Sequence, residues 1–195
     1  MTASFPPRPT RVAEIELAVN AIASTVDGRV ALYVSTPITT GTRFVAWLRD
    51  KGSSFARSSA AYRDGHATAV VSPNVAAAAP IVRDLRARMR QPVIDPTAFP
   101  DAPGWTQDDY RELWTRVIQR FATRVVFIDG WEFSEGCCLE YLVAFRSGAT
   151  CVDSREQPLP RDQALERMSR AYTELASLDV DTAFIRQVRD TLATL

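Results

Sequence analysis

The sequence predicts an α/β protein with a mostly parallel sheet of the Rossmann-like, flavodoxin-like kind. That sheet forms the middle of three layers in a single domain, with extra helices at the C-terminus. Three observations predict it. Short, nearly unbroken apolar runs stand at 30–34, 67–71 and 125–128, the pattern of strands buried on both faces. Segments with helical apolar spacing separate them, as crossovers between parallel strands require. Turn residues mark the boundaries: Asp27-Gly28, Pro37, Asp129-Gly130 and Gly148.

Each element follows in order. Residues 1–10, with the stretch PPRP, read as a flexible arm ahead of a domain covering 11–195. Val12, Ile15, Val19, Ile22, Ala23 and Val26 give an amphipathic helix over 12–26, ended by Asp27-Gly28. Val30, Leu32 and Val34 alternate with Ala31 and Tyr33 in a buried strand that stops at Pro37. Residues 42–72 read as an insertion. It opens with a short helix in TRFVAWLRDKG, closed by Gly52. The Ser-, Arg- and Gly-rich stretch 53–66 reads as a surface loop, with a lid as the alternative. ATAVVSP, 67–73, reads as a second strand, and Asn74 as the cap of a helix over 75–89 that contains Pro80.

PVIDP, 92–96, is a short extended piece between prolines. Thr106 caps a helix over 107–121 whose first turn carries Asp108 and Asp109, as the helix dipole favours. A buried strand over 125–128 ends at Asp129-Gly130. Ser134 or Gly136 opens a helix that Gly148 closes, and 149–152 is the next strand. Helices over 162–175 and 181–192 occupy the C-terminal part, 161–195.

The chain has 23 Lys+Arg and 23 Asp+Glu, so no general field exists to hold nucleic acid or an anionic membrane. An apolar fraction of 46% excludes wholesale disorder. With one histidine, His66, a His-rich metal site is excluded. Cys137, Cys138 and Cys151 form neither a disulfide framework nor a CxxC motif. The N-terminus shows no apolar signal segment, and the longest apolar run, 75–82, is too short to span a bilayer. These features predict a cytoplasmic protein with no metal, no cofactor, and no nucleic-acid or membrane partner.

Open parallel sheets take their ligands beyond the carboxyl ends of the strands. Two such ends carry chemistry: STPITTG after Val34 and DGWEFSEG after Ile128. Ser134 suits a helix cap, beside backbone N–H groups that favour an anion. Glu140 follows about one turn into that helix, with Gly136, Cys137, Val143 and Ala144 as small or apolar neighbours. A carboxylate there either caps a terminus or serves a cleft. Asp129 is a candidate acid or a turn-starting residue. Trp131 and Phe133 either stack on a planar ligand or pack as a lid.

These residues resemble the nucleoside 2-deoxyribosyltransferase-like superfamily. The nearest likeness is to a small branch with a Tyr-x-x-x-Pro-hydrophobic-Thr-Gly start and a Gly-Trp-Glu-x-Ser-x-Gly-x-x-x-Glu core. The chain supplies Tyr33-Val34-Ser35-Thr36-Pro37-Ile38-Thr39-Thr40-Gly41, with one extra residue before the glycine. It also supplies Gly130-Trp131-Glu132-Phe133-Ser134-Glu135-Gly136, then Glu140, Ala144 and Gly148. Asn74, Leu85, the 92–96 stretch, Trp105 and Tyr110 fit as well. The resemblance spans about 30–152, interrupted near 42–72.

The resemblance implies an enzyme that cleaves the N-glycosidic bond of a nucleoside or nucleotide. It assigns Glu140 as the nucleophile and Tyr33 as the residue that orients it. Ser134 stands where the family's monophosphate glycosidases carry the serine that binds the 5′-phosphate, and where its nucleoside transferases carry aspartate. Gly136 and the loop residues Thr36, Ile38, Thr39, Thr40 and Gly41 would complete the phosphate cradle, and Trp131 would meet the base. A homodimer is implied too. The chain departs from the family in placing Arg116 where an acid is expected; Asp109, Glu112 or Asp129 would have to substitute. Its tail, DTLATL, lacks the asparagine that transferases lend to a partner subunit. The expected function is therefore hydrolysis of a nucleoside 5′-monophosphate. A non-catalytic nucleotide-binding or sensing domain, and a nucleoside deoxyribosyltransferase, are the alternatives.

Overall fold

The computed structural model describes residues 10–26, 28–51 and 59–195. Most of the expected arm, Asp27, Gly52 and the first part of the expected loop lie outside these residues. Helix α1 (Arg11–Ala23) is capped by Thr10 and leads to strand β1 (Ala31–Ser35). Helices α2 (Thr42–Lys51), α3 (Ala60–His66) and α4 (Ser72–Arg88) follow, then strand β2 (Val93–Ile94). Helix α5 (Gln107–Phe121) runs into strand β3 (Ala122–Phe127). Helix α6 (Glu135–Arg146), strand β4 (Thr150–Asp153) and helices α7 (Arg161–Ala176) and α8 (Ala183–Ala193) complete the order.

The fold is α/β, a parallel four-stranded sheet between helical layers, in the order β2-β1-β3-β4. The pleat of β1 decides what faces what, because alternate side chains leave opposite faces. Leu32 and Val34 join Val126, Ile128 and Val152 against Val82 and Leu85 of α4. Ala31 and Tyr33 face the other way with Val125 and Phe127, into the larger core of α1, α5, α6, α7 and α8. Full burial of each such aliphatic side chain contributes about 1.5–3 kcal/mol, so the two faces together hold the sheet.

Helix α5 starts where the sequence predicts. The Thr106 side chain accepts from the Asp109 backbone, and the Asp109 carboxylate accepts in return from the Thr106 N–H at 2.6 Å. Two expectations fail between β1 and β2. Residues 59–66 are not loop: α3 occupies Ala60–His66, capped by Ser59. Residues 67–73 are not a strand: Ala67–Val71 is a π-helical turn that joins α3 to α4 without a break. Only Val70 of that turn is buried, with Ala67, Thr68 and Ala69 exposed. A strand lying inside a sheet would bury far more. Asn74 consequently lies inside the helical run and is buried, rather than capping it. Pro80 is tolerated because it sits on the exposed side of α4, where water can satisfy the carbonyl it leaves unbonded. No helix among the described residues is long and apolar enough to cross a membrane.

Candidate active site

The carboxyl ends of β1 and β3 meet the N-terminus of α6, and a cavity of about 490 Å³ opens there. That volume falls in the range of small-molecule sites, roughly 300–1,000 Å³. Tyr33 and Ser35 lie two residues apart on β1 and so project from the same face. Both are fully buried. Tyr33 Oη donates to Glu140 Oε1 at 2.6 Å, and Ser35 Oγ donates to Glu140 Oε2 at 2.6 Å. Each carboxylate oxygen of Glu140 thus has its own hydroxyl donor, and the half-buried carboxyl group lines the cavity.

Burial pushes the Glu140 carboxyl up to about 7, while the Ser35 and Tyr33 hydrogen bonds pull it down toward the charged form. Burial, then the Glu140 charge, raises Tyr33 well above the ordinary phenol range, so it stays a donor. The Cys137 thiol at the cavity wall is raised for the same two reasons. It stays protonated and does not compete as a nucleophile.

Ser134 caps α6, its hydroxyl accepting from the Cys137 N–H at 3.4 Å. It lines the cavity with Glu135 and Gly136, whose N–H groups belong to the unsatisfied first turn. Thr36, Ile38, Thr39 and Thr40 form the facing loop. The Thr36 and Thr40 hydroxyls are buried without a hydrogen-bond partner among the described residues. An unmet buried hydroxyl costs about 1–3 kcal/mol, a cost that a ligand oxygen would relieve. Arg111 of α5 lines the cavity, paired with Glu135 and with Asp108, and lies over the Phe184 ring at 4.4 Å.

Other expected site residues lie elsewhere. Trp131 is fully buried, stacked on Tyr141 at 5.3 Å and packed on Phe127, so it is core and not a surface for a base. Its neighbour Phe133 does reach the cavity. Asp129 is exposed and accepts from Ser154 at 3.0 Å; it starts the turn and is not among the lining residues. Gly41 does not line the cavity but shapes its loop, at φ +86° against Pro37 and Gly130. Arg116 pairs with Glu112 and Glu16 away from the cavity. Asp109 is held by Thr106 and Arg11, so neither it nor Glu112 substitutes for the expected acid.

Several lining residues were not read from the sequence. Ser35, which holds Glu140 and is not itself a lining residue, was legible in principle, since period two places it beside Tyr33. Phe99, Tyr110 and Trp114 form an aromatic wall, and Leu175, Val180, Asp181 and Ile185 close the cavity from the α7–α8 side. These last residues are distant in sequence, and no local pattern marks them. Asp101 and Asp181 are the remaining lining carboxylates. Among the described residues, no group of three or more His, Cys, Asp or Glu could hold a metal ion. Comparison with family models, with curated proteins and with solved structures gives no match for this chain.

Proposed function

We propose that the protein is an N-glycosidase that hydrolyses the N-glycosidic bond of a nucleoside 5′-monophosphate through Glu140. One observation carries the reading: a single carboxylate, oriented by two buried hydroxyl donors, projects into a nucleotide-sized cavity. Such a group suits attack on an anomeric carbon, where positive charge develops in the transition state.

In the first step a Glu140 oxygen bonds to C1′ and the C1′–N bond breaks. The base leaves with the electron pair and takes up a proton. In the second step water attacks C1′ and releases a proton to solvent, balancing the one the base took up; the ester C–O bond breaks, and the Glu140 carboxylate returns as the sugar gains a hydroxyl. Tyr33 and Ser35 fix the direction of attack and keep enough carboxylate ionised near neutrality. The 5′-phosphate would lie between the α6 N-terminus with Ser134 and the Thr36–Thr40 loop, because a helix N-terminus and unmet hydroxyls favour an anion. With Glu135 paired to Arg111, Asp101 and Asp181 are the carboxyl groups left to meet the base.

The test is free-base release from a panel of ribo- and deoxyribonucleoside 5′-monophosphates, with and without an acceptor base. Wild type should release base without an acceptor, and Glu140→Gln should lose about a thousand-fold or more of that rate. Base exchange only with an acceptor would favour a transferase. Nucleotide binding without release would favour a sensing domain.

A further inference from the structure

The loop that faces Glu140 is held from behind by one helical run, and its carbonyl groups show how. The buried Asn74 donates through Nδ2 to the carbonyls of Pro37 at 2.7 Å, Ile38 at 3.1 Å and Thr40 at 2.8 Å. His66 Nε2 lies 2.7 Å from the carbonyl of Thr39, which can only accept. The carbonyls of four successive residues, 37 to 40, are therefore all engaged by two side chains. Arg43 donates to Asn74 Oδ1 at 3.0 Å, which fixes the amide with its NH₂ toward the loop. His66 is set in turn by rings of Phe44, Trp47 and Tyr62, all within 5.7 Å of its own ring.

The π-helical turn explains why these two side chains meet the same loop. In an unbroken α-helix, residues eight apart point about 80° from one another. A π turn adds one residue without advancing the α-helical phase, so eight positions act as seven and the two side chains come within about 20°. The Ser72 N–H bonds to the Ala67 carbonyl, five residues back, between His66 and Asn74.

We propose that Asn74 and His66 are positioning residues that hold the Pro37–Thr40 loop in its binding shape. With its carbonyls drawn back to α3 and α4, the loop offers N–H groups and hydroxyls to the cavity. The N–H groups of Thr39 and Thr40 donate to no acceptor among the described residues. Thr36, only 8% exposed, lines the cavity, and its buried hydroxyl has no partner among the described residues. This rests on the proposed placement of an anionic 5′ end at that loop, and it names the residues that create the preference.

The experiment uses Asn74→Asp, which keeps size but has no N–H to give three carbonyls, together with His66→Leu and His66→Gln. Amide hydrogen exchange of Ile38 and Val45, whose N–H groups bond to the carbonyls of Thr36 and Gly41 at the two ends of the loop, is measured in the free protein. Calorimetry then compares a nucleoside 5′-monophosphate with the matching nucleoside. Asn74→Asp and His66→Leu should speed loop exchange and weaken the monophosphate about ten-fold or more, and the nucleoside by less. His66→Gln, which restores a donor, should recover much of the loss.

Unchanged loop exchange in a folded variant would overturn the proposal, whatever the wild type binds. Faster exchange with equal weakening of both ligands would overturn the positioning role. If Asn74→Asp does not fold, the variants at the half-buried His66 decide by the same criteria. Faster exchange in the variants of a wild type that binds no monophosphate would support the clasp and refute the proposed substrate class.

Discussion

Glu140 depends on two hydroxyls from one strand face, and this arrangement sets its pH behaviour. Its folded value of about 7 lies above the ordinary 4.5, because burial outweighs both hydrogen bonds. The attacking form is the carboxylate, so kcat/KM should rise with pH through about 7. Removing a donor favours the protonated form, so Ser35→Ala should move that limb to higher pH. A pH–rate profile of the two proteins checks this, and an unmoved limb would count against Ser35 as a donor to the reacting group. At this scale the sequence was informative where chemistry is local. Tyr33, Ser134 and Glu140 stand where the motifs place them. Trp131 and Asp129 did not follow, because a side chain's direction beside a glycine turn depends on packing from Tyr141 and Phe127 and on a partner such as Ser154.

The two motif loops touch at their glycines. Gly130 has φ +84°, and a Cβ there would stand 2.8 Å from the backbone nitrogen of Thr42. Gly148 has a similar φ, +68°, but no heavy atom within 4 Å of such a Cβ. Gly148→Ala should therefore cost only the left-handed conformation, about 1–2 kcal/mol, and Gly130→Ala clearly more. Denaturant unfolding measures the difference, and equal losses would show that the close approach does not matter.

Strands, caps and the later helices were legible because apolar runs and turn residues coincide at their ends. The stretch 67–73 was not. Its apolar run has the composition of a strand, yet the sheet closes with β2, and a helix that buries one side chain per turn accommodates it. A π turn has no sequence signature of its own, so the alignment of His66 with Asn74 could not be read in advance.

At the scale of the molecule, the cavity draws its lining from residues spread between Thr36 and Ile185. The α7–α8 segment contributes Leu175, Val180, Asp181 and Ile185, beyond the reach of the family resemblance. The resemblance implies a homodimer, and we propose that the site acts with the residues of one chain. Activity per chain should stay constant when the protein is diluted from micromolar to nanomolar concentration. A loss on dilution, restored on concentration, would show that a second copy completes the site.

The central claim is that Glu140 forms a bond to the sugar. Nucleoside 5′-monophosphates fluorinated at C2′ slow the loss of such an ester, because fluorine destabilises the positive charge that develops at C1′. Intact-mass measurement after incubation, followed by peptide mapping, is the direct test. The account predicts release of one base and a mass increase of one sugar phosphate, located on the peptide at Glu140 and absent from Glu140→Gln. Base release that continues in Glu140→Gln, or an adduct on another residue, would contradict it.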